Sequence, residues 1–128
     1  MEKKQIPNEF ITKLQGKEFI LFEGLLNLFH QNGGATIKCE ETPTSTIEHP
    51  KFKAIAIGTT GEFTGHGDAN SQNVNSMIVK HSYRMAETRA IARALRLYNN
   101  IGMTSAEELG GDNTQEEITN NDNQEIEI

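Results

Sequence analysis

Residues 74–99, VNSMIVKHSYRMAETRAIARALRLYN, run for twenty-six residues without Gly or Pro and are rich in Ala, Leu, Met and Arg. These residue types lose little side-chain freedom in a helix, so the stretch predicts one long helix. Ser71 is placed to cap its start, because a hydroxyl there accepts from an orphan amide of the first turn. Gly102 lies just past the end, where a left-handed residue is favoured. At ~100° per residue, Met77, Ile91 and Leu95 share a stripe with Val74, Ile78, Met85 and Ala92 beside it, while Ala86, Ala90, Ala94 and Leu97 form a second. A helix with two apolar stripes is covered on two sides, the second either by the chain itself or, in an oligomeric adaptor, by a homomeric interface.

Between the stripes, Arg89, Arg93 and Arg96 recur at spacings of four and three, lining one face with no acid among them. Lys80 and Arg84 form a second basic pair, so residues 80–96 carry five Lys or Arg against the single Glu87. On an arbitrary helix this would be a solvated face with scattered ion pairs. A row of Arg also suits repeated phosphate groups, because each planar fork takes two phosphate oxygens.

The chain is 128 residues long, which suits one domain with a modest core. Upstream of the long helix, Phe10 to Leu14 form a strand or a turn, broken by Gly16. Residues 18–31 then predict a first amphipathic helix, with Phe19, Phe22, Leu25, Leu26 and Phe29 at helical spacing and Gly33-Gly34 at the stop. Residues 35–41 alternate, with Ile37 and Cys39 on one face, as a half-buried strand does. Pro43, Pro50 and many hydroxyls mark a loop; KFKAIAIG (51–58) reads as a second strand, Gly58-Thr59-Thr60-Gly61 as a hairpin connection, and EFTGHG (62–67) as a third. The fold class expected is therefore α+β: a helix, a three-stranded antiparallel meander and a long C-terminal helix packed on the sheet. Lys51 and Lys53 alternate with Phe52 and project together from one sheet face. Gly65-His66-Gly67 then permits a sharp turn or a close backbone approach, and amides at a following helix N-terminus suit a phosphate.

Net charge is −6, yet residues 105–128 hold eight Asp or Glu and no Lys or Arg, leaving ten acids against all twelve basic residues in 1–104. A mildly basic body thus carries a strongly acidic tail. The division expected is a flexible terminus at 1–9, a domain at 10–104 and a disordered acidic tail at 105–128, which lacks the apolar residues to offset ordering. Such a tail fits recruitment of a replication or recombination partner, screening of the basic groove, or solubility. His30, His49, His66 and His81 show no ligand spacing and no Ser or Cys motif supplies a nucleophile, so no enzyme activity, metal or cofactor is expected. With no apolar run near 18 residues, no charged leader and the single Cys39, the expectation is a cytoplasmic protein with no membrane span.

The GHG at 65–67 and AETRAIARALRLYNNIG at 86–102 resemble the annealing domain of Rad-type single-strand annealing proteins, including the phage Sak group. That family has a Gly-aromatic-Gly element, then Ala-x-Thr, a basic residue, Ala-Leu-Arg and an aromatic-Gly-Asn-like end. The matching positions here are Gly65, His66, Gly67, Ala86, Thr88, Arg93, Ala94, Leu95, Arg96, Tyr98 and Asn99, with His66 as the aromatic and Ala92 where a basic residue often stands. FILFEGLLNLFHQNG is similar to the family's first helix. The resemblance implies a ring or other homo-oligomer in which a basic groove between hairpin and helix holds single-stranded DNA by its backbone. On that expectation Lys51, Lys53, Lys80, Arg84, Arg89, Arg93 and Arg96 are the phosphate ligands, and Gly65, His66 and Gly67 shape the approach. Stacking residues are few, with no Trp and only Tyr83 and Tyr98 as tyrosines, which favours holding the backbone over stacking the bases. The alternatives are a general single-strand protector with a recruiting tail, and an oligomeric adaptor that binds no DNA.

Overall fold

In the computed structural model, which describes residues 6–70 and 81–109, Gln15 and Gly16 both take positive φ, 50° and 81°. This two-residue turn matches the twist of an antiparallel pair. It folds Lys17–Ile20 (β2) back on Ile11–Leu14 (β1), from Ile11 opposite Ile20 to Leu14 opposite Lys17. The first helix, α1, is consequently Phe22–Gln31 and not 18–31. Phe19 and Phe22 keep helical spacing by coincidence, since one lies on a strand and the other opens the helix. Gly33, with φ 85°, turns the chain out of α1 where the Gly pair predicts its stop.

The meander follows as Gly34–Glu41 (β3), Lys51–Gly58 (β4) and Gly61–Asp68 (β5), in the order β3-β4-β5 with both pairings antiparallel. The architecture is thus α+β, with a two-stranded and a three-stranded antiparallel sheet and a long helix, Ser82–Tyr98 (α2). Phe52, Ala54 and Ala56 on β4 stand opposite Gly67, Gly65 and Phe63 on β5 and form the inner sheet face. Against them lie Ala86, Ala90 and Ala94 of α2, all fully buried. GHG is therefore not a turn but part of a strand, and its glycines serve close approach: a Cβ on Gly65 would strike Ala90 O and Ala94 N, and one on Gly67 would strike Ala86 O and Ala90 N. Cys39 sits half-buried beside this face, where burial first and then Glu87 and Glu40 push its thiol up to about 11.

The other side of α2 buries Ala92 and Leu95 in one cluster with Leu25, Leu28 and Phe29 of α1 and with Ile20. Tyr98 meets Phe29 edge-on at 4.9 Å and Phe63 at 5.5 Å, bridging helix and sheet. Both covers expected of the helix are present. Leu97 departs from its stripe and is 56% exposed. Past the helix, Asn100 and not Gly102 takes the left-handed conformation, with φ 58°. Asn100 N donates to Leu97 O and Ile101 N to Arg96 O, the paired bonds of a Schellman stop. The Ser71 cap, Val74 to Lys80 and residues 110–128 lie outside the described residues.

Residues 105–109, expected to belong to the tail, pack into the domain. Ser105 bridges Ile20 in parallel, and Ala106–Glu108 make a 3₁₀ turn with Glu108 buried. Glu107 reaches the start of α1, where Phe22 N donates to its Oε1 at 2.8 Å. Leu21 offers α1 no capping side chain, so a distant carboxylate takes that place.

Candidate nucleic-acid interface

The three arginines leave α2 beside the free edge of β5. Because β5 ends the sheet, carbonyls pointing away from β4 lack a ladder partner. Arg93 Nη1 donates to His66 O at 3.0 Å and Arg89 Nη1 to Asp68 O at 2.6 Å, satisfying two of them.

The row, with no acid on its own helix face, receives one from the C-terminal turn. Arg96 holds the Glu108 carboxylate with both ends of its fork, Nε to Oε2 at 2.6 Å and Nη2 to Oε1 at 2.9 Å. Arg93 Nε adds 3.1 Å to Oε1, Ser105 N adds 3.0 Å to Oε2, and Arg89 Nε donates to the Glu108 carbonyl at 2.8 Å. The Glu108 side chain is only 2% exposed. Burial alone would raise its pKa, but the bonds from Arg96 and Ser105 outweigh that and hold the carboxyl below the usual glutamate range. For Arg89, 5% exposed, burial and the neighbouring Arg93 lower the guanidinium pKa.

The three arginines are accordingly not equivalent. Arg89 is buried and the Arg96 side chain is 21% exposed with its fork closed on Glu108. Arg93 is 39% exposed, and its Nη2 has no hydrogen-bond partner among the described residues.

Arg93 also lines a cleft of about 370 Å³ between the 42–50 loop and the end of β4–β5. Lys51, His66 and Gly67 line it too, so four of the predicted residues meet in one place, joined by the hydroxyl-bearing Thr42 and Thr44. Among the described residues Lys51 makes no ion pair. The one carboxylate in the lining, Asp68, is engaged by His49 Nε2 at 2.7 Å. The loop is fixed by Ser45, whose Oγ accepts from Lys51 N at 2.9 Å and donates to Glu41 Oε2 at 2.8 Å. Two cationic side chains, an imidazole and two hydroxyls around a small concavity suit a phosphate oxygen.

The other predicted residues lie apart from the cleft. Lys53 stands opposite His66 on the same outer sheet face as Lys51, 4.0 Å from Glu40. Arg84 is exposed on the first turn of α2, and Lys80 is outside the described residues. Tyr83, beside Arg84, is committed to the fold: its hydroxyl donates to Glu41 Oε1 at 2.6 Å and its ring meets Phe52 edge-on. The residues missed from sequence are Thr42, Thr44, His49 and Glu108. Glu108 had one signal, the Ser-x-x-Glu spacing of 105–108 that marks a capped turn.

Among the described residues no group of three His, Cys, Asp or Glu is placed to hold a metal ion, and no helix is long and apolar enough to cross a membrane. No family model, curated protein or solved structure matches this chain.

Proposed function

We propose that this chain is a non-enzymatic single-stranded DNA-binding protein that grips the phosphate backbone and promotes pairing of complementary strands, in recombination or replication of a phage, plasmid or similar element. The observation that carries this reading is the convergence of Lys51, His66 and Arg93 on one cleft lined by Thr hydroxyls. These residues come from two strands and a helix, and no element alone would make such a site. Lys53 extends the basic character along β4, two residues and about 7 Å from Lys51 on the same face. A backbone grip of this kind gives affinity without sequence preference and leaves bases accessible for pairing.

On this reading the meander and α2 correspond to the core of the annealing proteins that the sequence resembles, and the protein acts as a homo-oligomer whose repeated clefts track one strand. On this reading the acidic sequence beyond 109 recruits a replication or recombination partner.

The test is fluorescence polarisation with a labelled oligothymidine over a salt series. Binding that weakens with salt, and weakens further in Lys51→Ala and Arg93→Ala, supports the reading; salt-independent binding, or none at low salt, overturns it.

A further inference from the structure

A carboxylate on an arginine row has two opposite meanings for a phosphate site. It either occupies the place of phosphate and competes with it, or it fixes the arginine that phosphate will meet. We infer that Glu108 is a positioning residue, orienting Arg93 toward a phosphodiester oxygen in the cleft; the inference rests on the DNA-binding reading above.

Three observations favour orientation over competition. First, Glu108 is secured without Arg93: the two-pronged grip of Arg96 and the Ser105 amide hold it, and the Arg93 contact at 3.1 Å is the longest of its four bonds. A carboxylate 2% exposed and held this way is a fixture of the fold, since displacing it would strand Arg96 beside an empty buried site. Secondly, the Arg93 fork is divided. Nε goes to Glu108, Nη1 goes to His66 O, and Nη2 is left over. Two anchors fix the plane of the guanidinium, so less side-chain freedom remains to be lost when a ligand binds. Thirdly, the anchors come from two separate elements, the C-terminal turn and the edge of β5, the strand that also contributes His66 and Gly67 to the lining. Glu108 thereby couples the turn after α2 to the phosphate site without touching the phosphate.

The experiment measures oligothymidine binding by the full chain over a salt series for Glu108→Gln, Arg93→Ala, the double variant and Arg93→Lys, with thermal melts alongside. Positioning predicts that Glu108→Gln weakens binding by roughly fivefold. Its salt slope should fall toward that of Arg93→Ala, a loss of about 0.7 for one phosphate contact on a single strand. The double variant should then be no weaker than Arg93→Ala alone. Arg93→Lys should keep the wild-type salt slope, because an ammonium still neutralises one phosphate, yet bind more weakly than wild type, because it lacks a fork held at two points; this variant leaves Glu108 on Arg96 and so keeps the fold. Tighter binding by Glu108→Gln would establish competition and overturn the inference. Additive losses in the double variant, or wild-type affinity in Arg93→Lys, would overturn it as well. Failure of the DNA-binding reading is distinct: the wild-type chain would then not bind at low salt.

Discussion

Glu108 Oε2 accepts from Arg96 Nε at 2.6 Å across twelve residues of sequence, closing the C-terminal turn onto the long helix. With Glu107 on the amide of Phe22, two adjacent acids tie α1 and α2 together. What composition presents as the beginning of a polar tail is a clasp.

Truncation should locate the end of the domain. A chain ending at 109 is expected to unfold at nearly the same urea concentration as the full chain. One ending at 104 loses the Ser105 bridge, the Glu107 cap and the Glu108 cluster, and should lose about 3 kcal/mol or more, since removing one partner of a buried ion cluster strands the rest. Equal midpoints for both truncations would contradict the clasp.

The arginines should separate by function. Arg93→Ala is expected to reduce oligonucleotide affinity with a small change in melting temperature. Arg96→Ala should cost about 2 kcal/mol of stability by breaking the two-pronged bond to Glu108. Parallel urea melts and polarisation titrations check this, and equal behaviour of the two variants would contradict the asymmetry.

The division between what sequence discloses and what it hides follows the range of the interactions. Alternation along 35–41 and 51–58, the hairpin Thr59-Thr60 and the Ala86, Ala90, Ala94 stripe are local patterns, and they predict the meander and the buried helix face. The start of α1 is hidden because its cap arrives from Glu107, 85 residues away. The β1–β2 hairpin is hidden because Gln15 supplies a left-handed turn residue without being Asn, Asp or Gly. At the site, Lys51, His66 and Arg93 are chosen by residue type alone. The burial of Arg89 and the closure of Arg96 depend on a turn read as tail, so the row is uniform by residue type and graded in space.

The two adjacent acids should titrate in opposite senses. Glu107 has its pKa raised, first by burial, so it favours the protonated form in the fold; its contribution is full below the unfolded-state pKa and is lost as pH rises through the folded value. Glu108 has its pKa lowered, because the Arg96 and Ser105 bonds overcome burial; its contribution is present above the unfolded-state pKa and is lost as pH falls through the folded value. Glu107→Gln, which keeps an acceptor for Phe22 N, should therefore raise the melting temperature at pH 7. Glu108→Gln should lower it and flatten the acid limb. A lower melting temperature for Glu107→Gln at pH 7 would contradict this assignment.

Gly65→Ala and Gly67→Ala should each destabilise by about 2 kcal/mol or more, because the new methyl meets helix backbone and not a movable side chain. Gly102→Ala, with open space around it, is the control and should be near neutral. Urea denaturation of the three variants measures the closeness of α2 to β5, and equal stabilities would contradict it.

The central claim, that the cleft holds single-stranded DNA in a form ready to pair, is tested most directly by following two complementary, fluorescently labelled oligonucleotides as they anneal with and without the protein over a salt series. The wild-type chain should speed pairing, with an acceleration that fades as salt rises, and Arg93→Ala should give little acceleration. Slower pairing despite binding would contradict the annealing claim and indicate a strand protector. Acceleration undiminished in Arg93→Ala would contradict the cleft as its site.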